Sequence, residues 1–158
     1  MRLFLLTLFI SGLSISLSNA QVKVVSFAEV EDLIKSNSDK IRIINFWATW
    51  CAPCVKEIPY FQATAKQYEG EVELILVSLD FKQQLDKVER FINERNIDER
   101  VLLLDDLDYN SWIDKVDPDW SGAIPANLII NTNTGKRKFT EGEVSKEDLV
   151  KYIEYVKS

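Results

Sequence analysis

The chain has 158 residues, 19 basic and 25 acidic side chains, a net charge of −6, no histidine and two cysteines. An acidic protein is repelled by nucleic acid and by anionic membrane surfaces, so neither is an expected partner. Without histidine, the commonest metal ligand and the usual proton carrier at neutral pH are both missing.

In chain order, Arg2 precedes the apolar run LFLLTLFISGL, too short to span a bilayer comfortably. Ser18 and Ala20 then stand at the small-residue positions of a cleavage site. Residues 1–20 are expected to be a secretory signal, which leaves the protein membrane-tethered if it is not cleaved. Residues 21–158 are expected to form one domain, large enough to bury roughly two-thirds of its unfolded surface. Without Arg2 the balance is 18 basic to 25 acidic residues.

VKVV predicts a short strand, and Ser26 with Glu29 forms a capping box opening a helix that carries Val30, Leu33 and Ile34. IRIINFW (41–47) and VELILVSL (72–79) are continuous apolar runs, as buried parallel strands require. Between them CVKEIPYFQATAKQYEG reads as a helix stopped by Gly70, giving a βαβ unit. QQLDKVERFINERN predicts a helix, VLLL (101–104) a strand, and YNSWIDKV a short helix ending before Pro118. ANLIIN (126–131), the turn TNTG and KRKFTEG predict a hairpin whose Lys136, Arg137 and Lys138 form a solvated edge. Ser145 with Asp148 caps a last helix with the stripe Leu149, Ile153 and Val156. The fold class is α/β. Asp105, Asp106 and Asp108 lack the glycine and spacing of a calcium loop and are expected to form a strand-end turn with a helix cap.

Cys51 and Cys54 carry the chemistry. A disulfide closing so short a loop stabilises a fold by only about 2 kcal/mol, against about 3 for fifteen residues, so this pair suits exchange better than reinforcement. Cys51 should stand at the start of the helix, with Pro53 in its first turn, where free N–H groups favour the thiolate. A fall in pKa from about 8.5 to about 7 raises the ionised fraction at neutral pH from about 3% to about 50%; lower nucleophilicity leaves about a three-fold gain in attack rate. Cys51 is then the attacking and leaving sulfur, and the more buried Cys54 the resolving one.

The segment NFWATWCAPCVKEIP (45–59), with its W-C-x-P-C core, Pro59 beyond it and Ile124-Pro125 opening a later strand, resembles the active-site segment of thioredoxin-fold proteins. Within them it is similar to the exported TlpA/ResA-like thiol-disulfide oxidoreductases. The resemblance covers residues 22–158, strongly at the motif and loosely elsewhere. It implies a thioredoxin fold: a central mixed sheet flanked by helices, with residues 81–120 inserted between the βαβ and ββα halves. It also implies a Cys51–Cys54 disulfide, a cis Ile124–Pro125 bond beside it, oxidised protein substrates such as apocytochrome c thiols, and a membrane thiol transporter as electron donor. No cofactor and no bound metal are implied, and a monomer is expected. Trp50, Ile124 and Pro125 are the expected substrate contacts, with Trp47 in the core.

Glu57 is either a solvated helical glutamate or, three residues after Cys54 and near the helix distortion expected at Pro59, a proton relay, as in the similar reductases. Cytoplasmic thioredoxins carry an aspartate where this chain has Asn45, which cannot titrate; Asp80 is a substitute carboxylate or a loop cap. Ala52 and Pro53 lack the histidine that marks strong oxidants of this kind, which points to a reductant. Two other classes stay open: a thiol-based metal or carrier module, short of the four ligands of a closed zinc site, and a peroxiredoxin-like peroxidase, whose site does not usually use a Cys-x-x-Cys pair.

Overall fold

The computed structural model describes residues 22–158, so the expected signal, residues 1–20, lies outside the described residues. Six strands form one mixed sheet in the order β1-β4-β3-β2-β5-β6. β2 (Ile41–Trp47) is buried along its whole length because it has a neighbour on each side, β3 (Val72–Ser78) in parallel and β5 (Ala126–Asn131) antiparallel. Alternation of side chains then sorts the core into two layers. Ile41, Ile43 and Trp47 pack with α2 (Ala52–Gln67), α3 (Leu85–Glu94) and α5 (Lys146–Lys157); Ile44 and Phe46 pack with α1 (Phe27–Lys35) and α4 (Ile113–Val116). This is the arrangement that the resemblance implies.

Residues 81–120 are a built part of the sheet. Their strand β4 (Arg100–Leu104) lies between β1 (Lys23–Val25) and β3, parallel to both. The expected helix over Tyr109–Val116 is broken. A 3₁₀ turn, Tyr109–Ser111, gives way at Trp112, whose φ of −135° leaves helical geometry and carries its ring into the core. That ring stacks on Phe27 at 5.3 Å and meets Trp120 at 5.6 Å, and Trp120 lies 4.7 Å from Phe46. Both indole N–H groups are satisfied by backbone, Trp112 donating to the Asp106 carbonyl and Trp120 to the Ala123 carbonyl. Large rings with partnered N–H groups make this layer a firm base for the loop that follows.

The predicted caps form. The Ser26 N–H donates to Glu29 Oε2 at 3.0 Å, and Ser145 Oγ accepts from the Asp148 N–H at 3.1 Å. Arg42, the one cation in β2, is buried and donates through Nη1 to the Leu33 and Ser36 carbonyls at the end of α1, where the helix dipole favours a positive charge. On β6 (Lys136–Glu141), at the sheet border, Arg137 is exposed, as the hairpin pattern suggests, and it also pairs with the Asp117 carboxylate at 2.9 Å and donates to the Val116 carbonyl.

Leu149, on the buried stripe of α5, has no exposed surface. Leu149→Ala should destabilise the domain by about 2–5 kcal/mol, read as a lower urea midpoint with an unchanged m-value; a midpoint like that of the parent would mean α5 is not held by this stripe.

Candidate active site

The loop between β2 and α2 is tied down by a carboxylate from the end of β3. Asp80, nearly fully buried, accepts from the Thr49 N–H at 2.8 Å, from Thr49 Oγ1 at 2.5 Å and from Ser78 Oγ at 2.8 Å. Of the two roles open to Asp80, its contacts are those of a loop cap. The loop delivers Cys51 to the N-cap position of α2, with Pro53 in the first turn. There the Cys54 N–H donates to Cys51 Sγ at 3.3 Å, a contact that strengthens when the sulfur carries charge.

The two cysteines are joined as a disulfide, with their Cα atoms 5.3 Å apart. Cys51 keeps 6% of its surface and Cys54 none, so any approach to the pair meets Cys51 first. The Ile124–Pro125 bond is cis, and the Ile124 carbonyl oxygen lies 3.7 Å from Cys51 Sγ. An oxidised sulfur has no proton to donate, so this contact leaves the carbonyl free to accept a hydrogen bond.

Beside the disulfide a groove of about 350 Å³ is lined by Trp50, Leu79, Tyr109, Ile113, Gly122 and Ile124, among others. Trp50 is 61% exposed, whereas Trp47 is fully buried. Tyr109 and Ile113 come from the segment that the sequence left without a role. Gly122 has φ +92°, and a Cβ there would come within 3.1 Å of Ile113 Cδ1, so glycine keeps this wall open.

Behind the disulfide lies Glu57. It is not a solvated glutamate: it has no exposed surface, and both carboxylate oxygens are held. Oε1 accepts from Asn45 Nδ2 at 2.8 Å and Oε2 from the Val144 N–H at 3.0 Å. Asn45 Nδ2 also donates to Asn127 Oδ1 at 2.7 Å, across the β2–β5 pair. Burial pushes the Glu57 carboxyl up from 4.5 to about 7, against the Val144, Asn45 and Asn127 donors, which pull it down; the nearby Glu143 charge adds a smaller upward push. A carboxyl near neutrality can both take and give a proton under ordinary conditions. Helix α2 runs unbroken through Pro59, which supplies no N–H to the preceding turn.

Asn127, Val144, Tyr109, Ile113 and Gly122 were not expected at the site. A signal for Asn127 exists: one amide inside each of two apolar runs, IRIINFW and ANLII, is what two facing strands need to bury a polar pair. Asp106 Oδ1 accepts from the Asp108 N–H and Asp105 pairs with Lys82, so the aspartate run forms the expected turn, but the expected helix cap is not made: the Asp108 side chain forms no capping hydrogen bond.

The AhpC/TSA family model matches residues 13–136. The chain belongs to the AhpC/TSA family. Among its relatives, a thiol-disulfide oxidoreductase ResA of Geobacillus thermodenitrificans is 29% identical over 119 residues, 72% of this chain and 62% of that protein. The chain thus spans less than two-thirds of that relative. Sporulation thiol-disulfide oxidoreductase A of Bacillus subtilis is 34% identical over 77 residues, 48% of this chain and 47% of the relative. In three dimensions the chain is similar to a thioredoxin-related protein from Neisseria meningitidis serogroup B, with a TM-score of 0.67 at 24% identity, covering 78% of this chain and 90% of that one. StoA from Bacillus subtilis matches with a TM-score of 0.56 at 27% identity over 73% of this chain and 84% of that one. The fold of this AhpC/TSA member is the thioredoxin fold.

The raised Glu57 value carries a stability consequence. The folded protein binds more protons than the unfolded chain between pH 4.5 and about 7, so this contribution is fully present below pH 4.5 and lost as the pH rises through about 7. Urea midpoints of the oxidised protein should fall across that window, and in Glu57→Gln this fall should disappear. Parallel pH curves for the two proteins would rule out Glu57 as the group responsible.

Proposed function

We propose that the protein is an exported thiol-disulfide oxidoreductase that reduces disulfides in extracytoplasmic protein substrates. The observation that carries this reading is the Cys51–Cys54 disulfide at the start of α2, with Cys51 outermost and a carboxyl titrating near neutrality behind it. The names of the relatives support the same chemistry, and the signal-like residues 1–20 support export.

In the reduced protein the Cys51 thiolate attacks one sulfur of a substrate disulfide; that S–S bond breaks, one substrate thiolate leaves and a mixed disulfide forms. Glu57, on the same helix face as Cys54, takes the Cys54 proton. The resulting Cys54 thiolate attacks Cys51 Sγ, freeing the second substrate sulfur and leaving the Cys51–Cys54 disulfide. Two electrons pass to the substrate, and a membrane dithiol transporter restores them. Trp50 and the neighbouring groove give the substrate chain an apolar seat, and the Ile124 carbonyl gives it a backbone acceptor.

The test is reduction of insulin disulfides under a chemical dithiol, with metal analysis of the same sample. Wild type should turn over, Cys51→Ser should fall to the uncatalysed rate, and Cys54→Ser should stall as a mixed disulfide that identifies its partner by mass. Trp50→Ala should raise KM for a protein substrate about ten-fold or more with a smaller effect on kcat, since a well-packed aromatic anchor contributes about 2 kcal/mol or more. A stoichiometric metal without turnover would overturn the proposal in favour of a thiol-based carrier.

A further inference from the structure

Asn45 and Asn127 face each other across β2 and β5, and neither has exposed surface. Asn45 Nδ2 donates to Glu57 Oε1 at 2.8 Å and to Asn127 Oδ1 at 2.7 Å, while Asn45 Oδ1 and Asn127 Nδ2 have no partner at hydrogen-bond distance, the Asn127 amide acting on the carboxyl only from further off. A fully buried amide with one end unmatched is expensive, and two such amides in contact call for a reason. The unmatched ends are an acceptor and a donor. They are what the pair would use if both amides turned over.

Glu57 supplies the occasion for turning. Its Oε2 is held by the Val144 N–H, a backbone donor that cannot reverse, so a proton arriving on the carboxyl is favoured on Oε1, the oxygen that faces Asn45. An O–H on Oε1 would then point at an N–H donor. If Asn45 rotates, its Oδ1 accepts that O–H; if Asn127 rotates with it, its Nδ2 donates to the second lone pair of the same oxygen. Two amide atoms are unmatched before the turn, Asn45 Oδ1 and Asn127 Nδ2, and two after it, Asn45 Nδ2 and Asn127 Oδ1. A fixed cation or a lone donor would instead favour the ionised carboxyl alone.

We propose that Asn45 and Asn127 are coupled positioning residues whose amides turn over together when Glu57 gains or loses its proton, so that each charge state of the carboxyl meets a matching amide. The proton leaving the Cys54 sulfur becomes the Glu57 O–H and leaves a thiolate on Cys54; the amides only rotate and exchange no proton. The charged groups near Glu57 are Lys56 on its own helix and Glu143 in the turn before α5, already paired with each other at 2.6 Å, while Cys54 is tied in the disulfide. From β2 and β5 only the two neutral amides face it. The inference deepens the proposed exchange function and rests on that reading for its use, although the coupling itself is a property of the oxidised protein.

The test follows the side-chain amide resonances of Asn45 and Asn127 and the carboxyl carbon of Glu57 by NMR. Oxidised wild type is titrated from about pH 5 to about pH 9, the range in which a buried carboxyl near neutrality ionises. All three signals should share one inflection. In Asn45→Leu the Asn127 inflection should shrink and the Glu57 pKa should rise by no more than about one unit, the difference between a hydrogen bond to a charged group and one to a neutral group. An Asn127 amide that stays flat in wild type while Glu57 titrates would overturn the coupling, as would a rise of about two units in Asn45→Leu, the loss that a fixed donor to the charged form alone would give. The wild-type titration carries the first readout, so the test survives a variant that fails to fold. Insulin reduction by the same sample separates the two claims: matched inflections in an inactive protein would sink the exchange function alone, and a flat Asn127 in an active one the coupling alone.

Discussion

A carboxyl with no access to water must find donors for its charge or take up a proton, and the centre of this protein is arranged around that choice. Glu57 arrives there because α2 begins at the disulfide and lies over the face of β2 that carries Ile41, Ile43, Asn45 and Trp47. Its donors come from three separate places: a side chain on β2, a backbone N–H at the turn before α5, and through Asn45 the amide on β5. Secondary structure, sheet register and the closure of α5 on α2 must all be right before that carboxyl is bound at both ends. The geometry of the exchange pair and the protonation of its neighbour are therefore consequences of one assembly.

The two faces of the sheet divide the labour. One holds the redox pair, Glu57 and the helices that cover them. The other holds Trp112 and Trp120, whose packing under β2 and β5 fixes the chain from Asp106 to Gly122 and so shapes one wall of the groove. Residues 81–120 supply both a strand that widens the sheet and, through Tyr109 and Ile113, part of the wall of the groove beside Cys51. Variation in this segment would alter what reaches the sulfur while leaving the chemistry behind it unchanged.

How much of this was legible in the sequence followed the range of the forces involved. β2, β3 and β5 were visible because unbroken apolar runs report burial on both faces, and the caps of α1 and α5 because they depend on residues three apart. The helix over Tyr109–Val116 misled because local periodicity says nothing of the pull of a core on Trp112. At the site, Cys51, Cys54 and Trp50 announced themselves through one short motif. Glu57 could be suspected from its distance to Cys54, but its burial could not. Asn127 lies 82 residues from Asn45 and meets it only through strand register, and Val144 takes part through its backbone, to which the identity of its side chain is no guide.

The two outer borders of the sheet also bear on how copies of the molecule meet. An unpaired strand border is a template for adding another chain. Here one border is β1, three residues long, and the other is β6, which opens with Lys136, Arg137 and Lys138. Lys136 and Lys138 lie over the Tyr155 and Tyr152 rings of α5, and Arg137 is committed to Asp117, so the positive charge is anchored along that border. Growth of the sheet from molecule to molecule is thus starved of backbone on one side and opposed by like charge on the other, a safeguard against fibril formation that is independent of the redox chemistry.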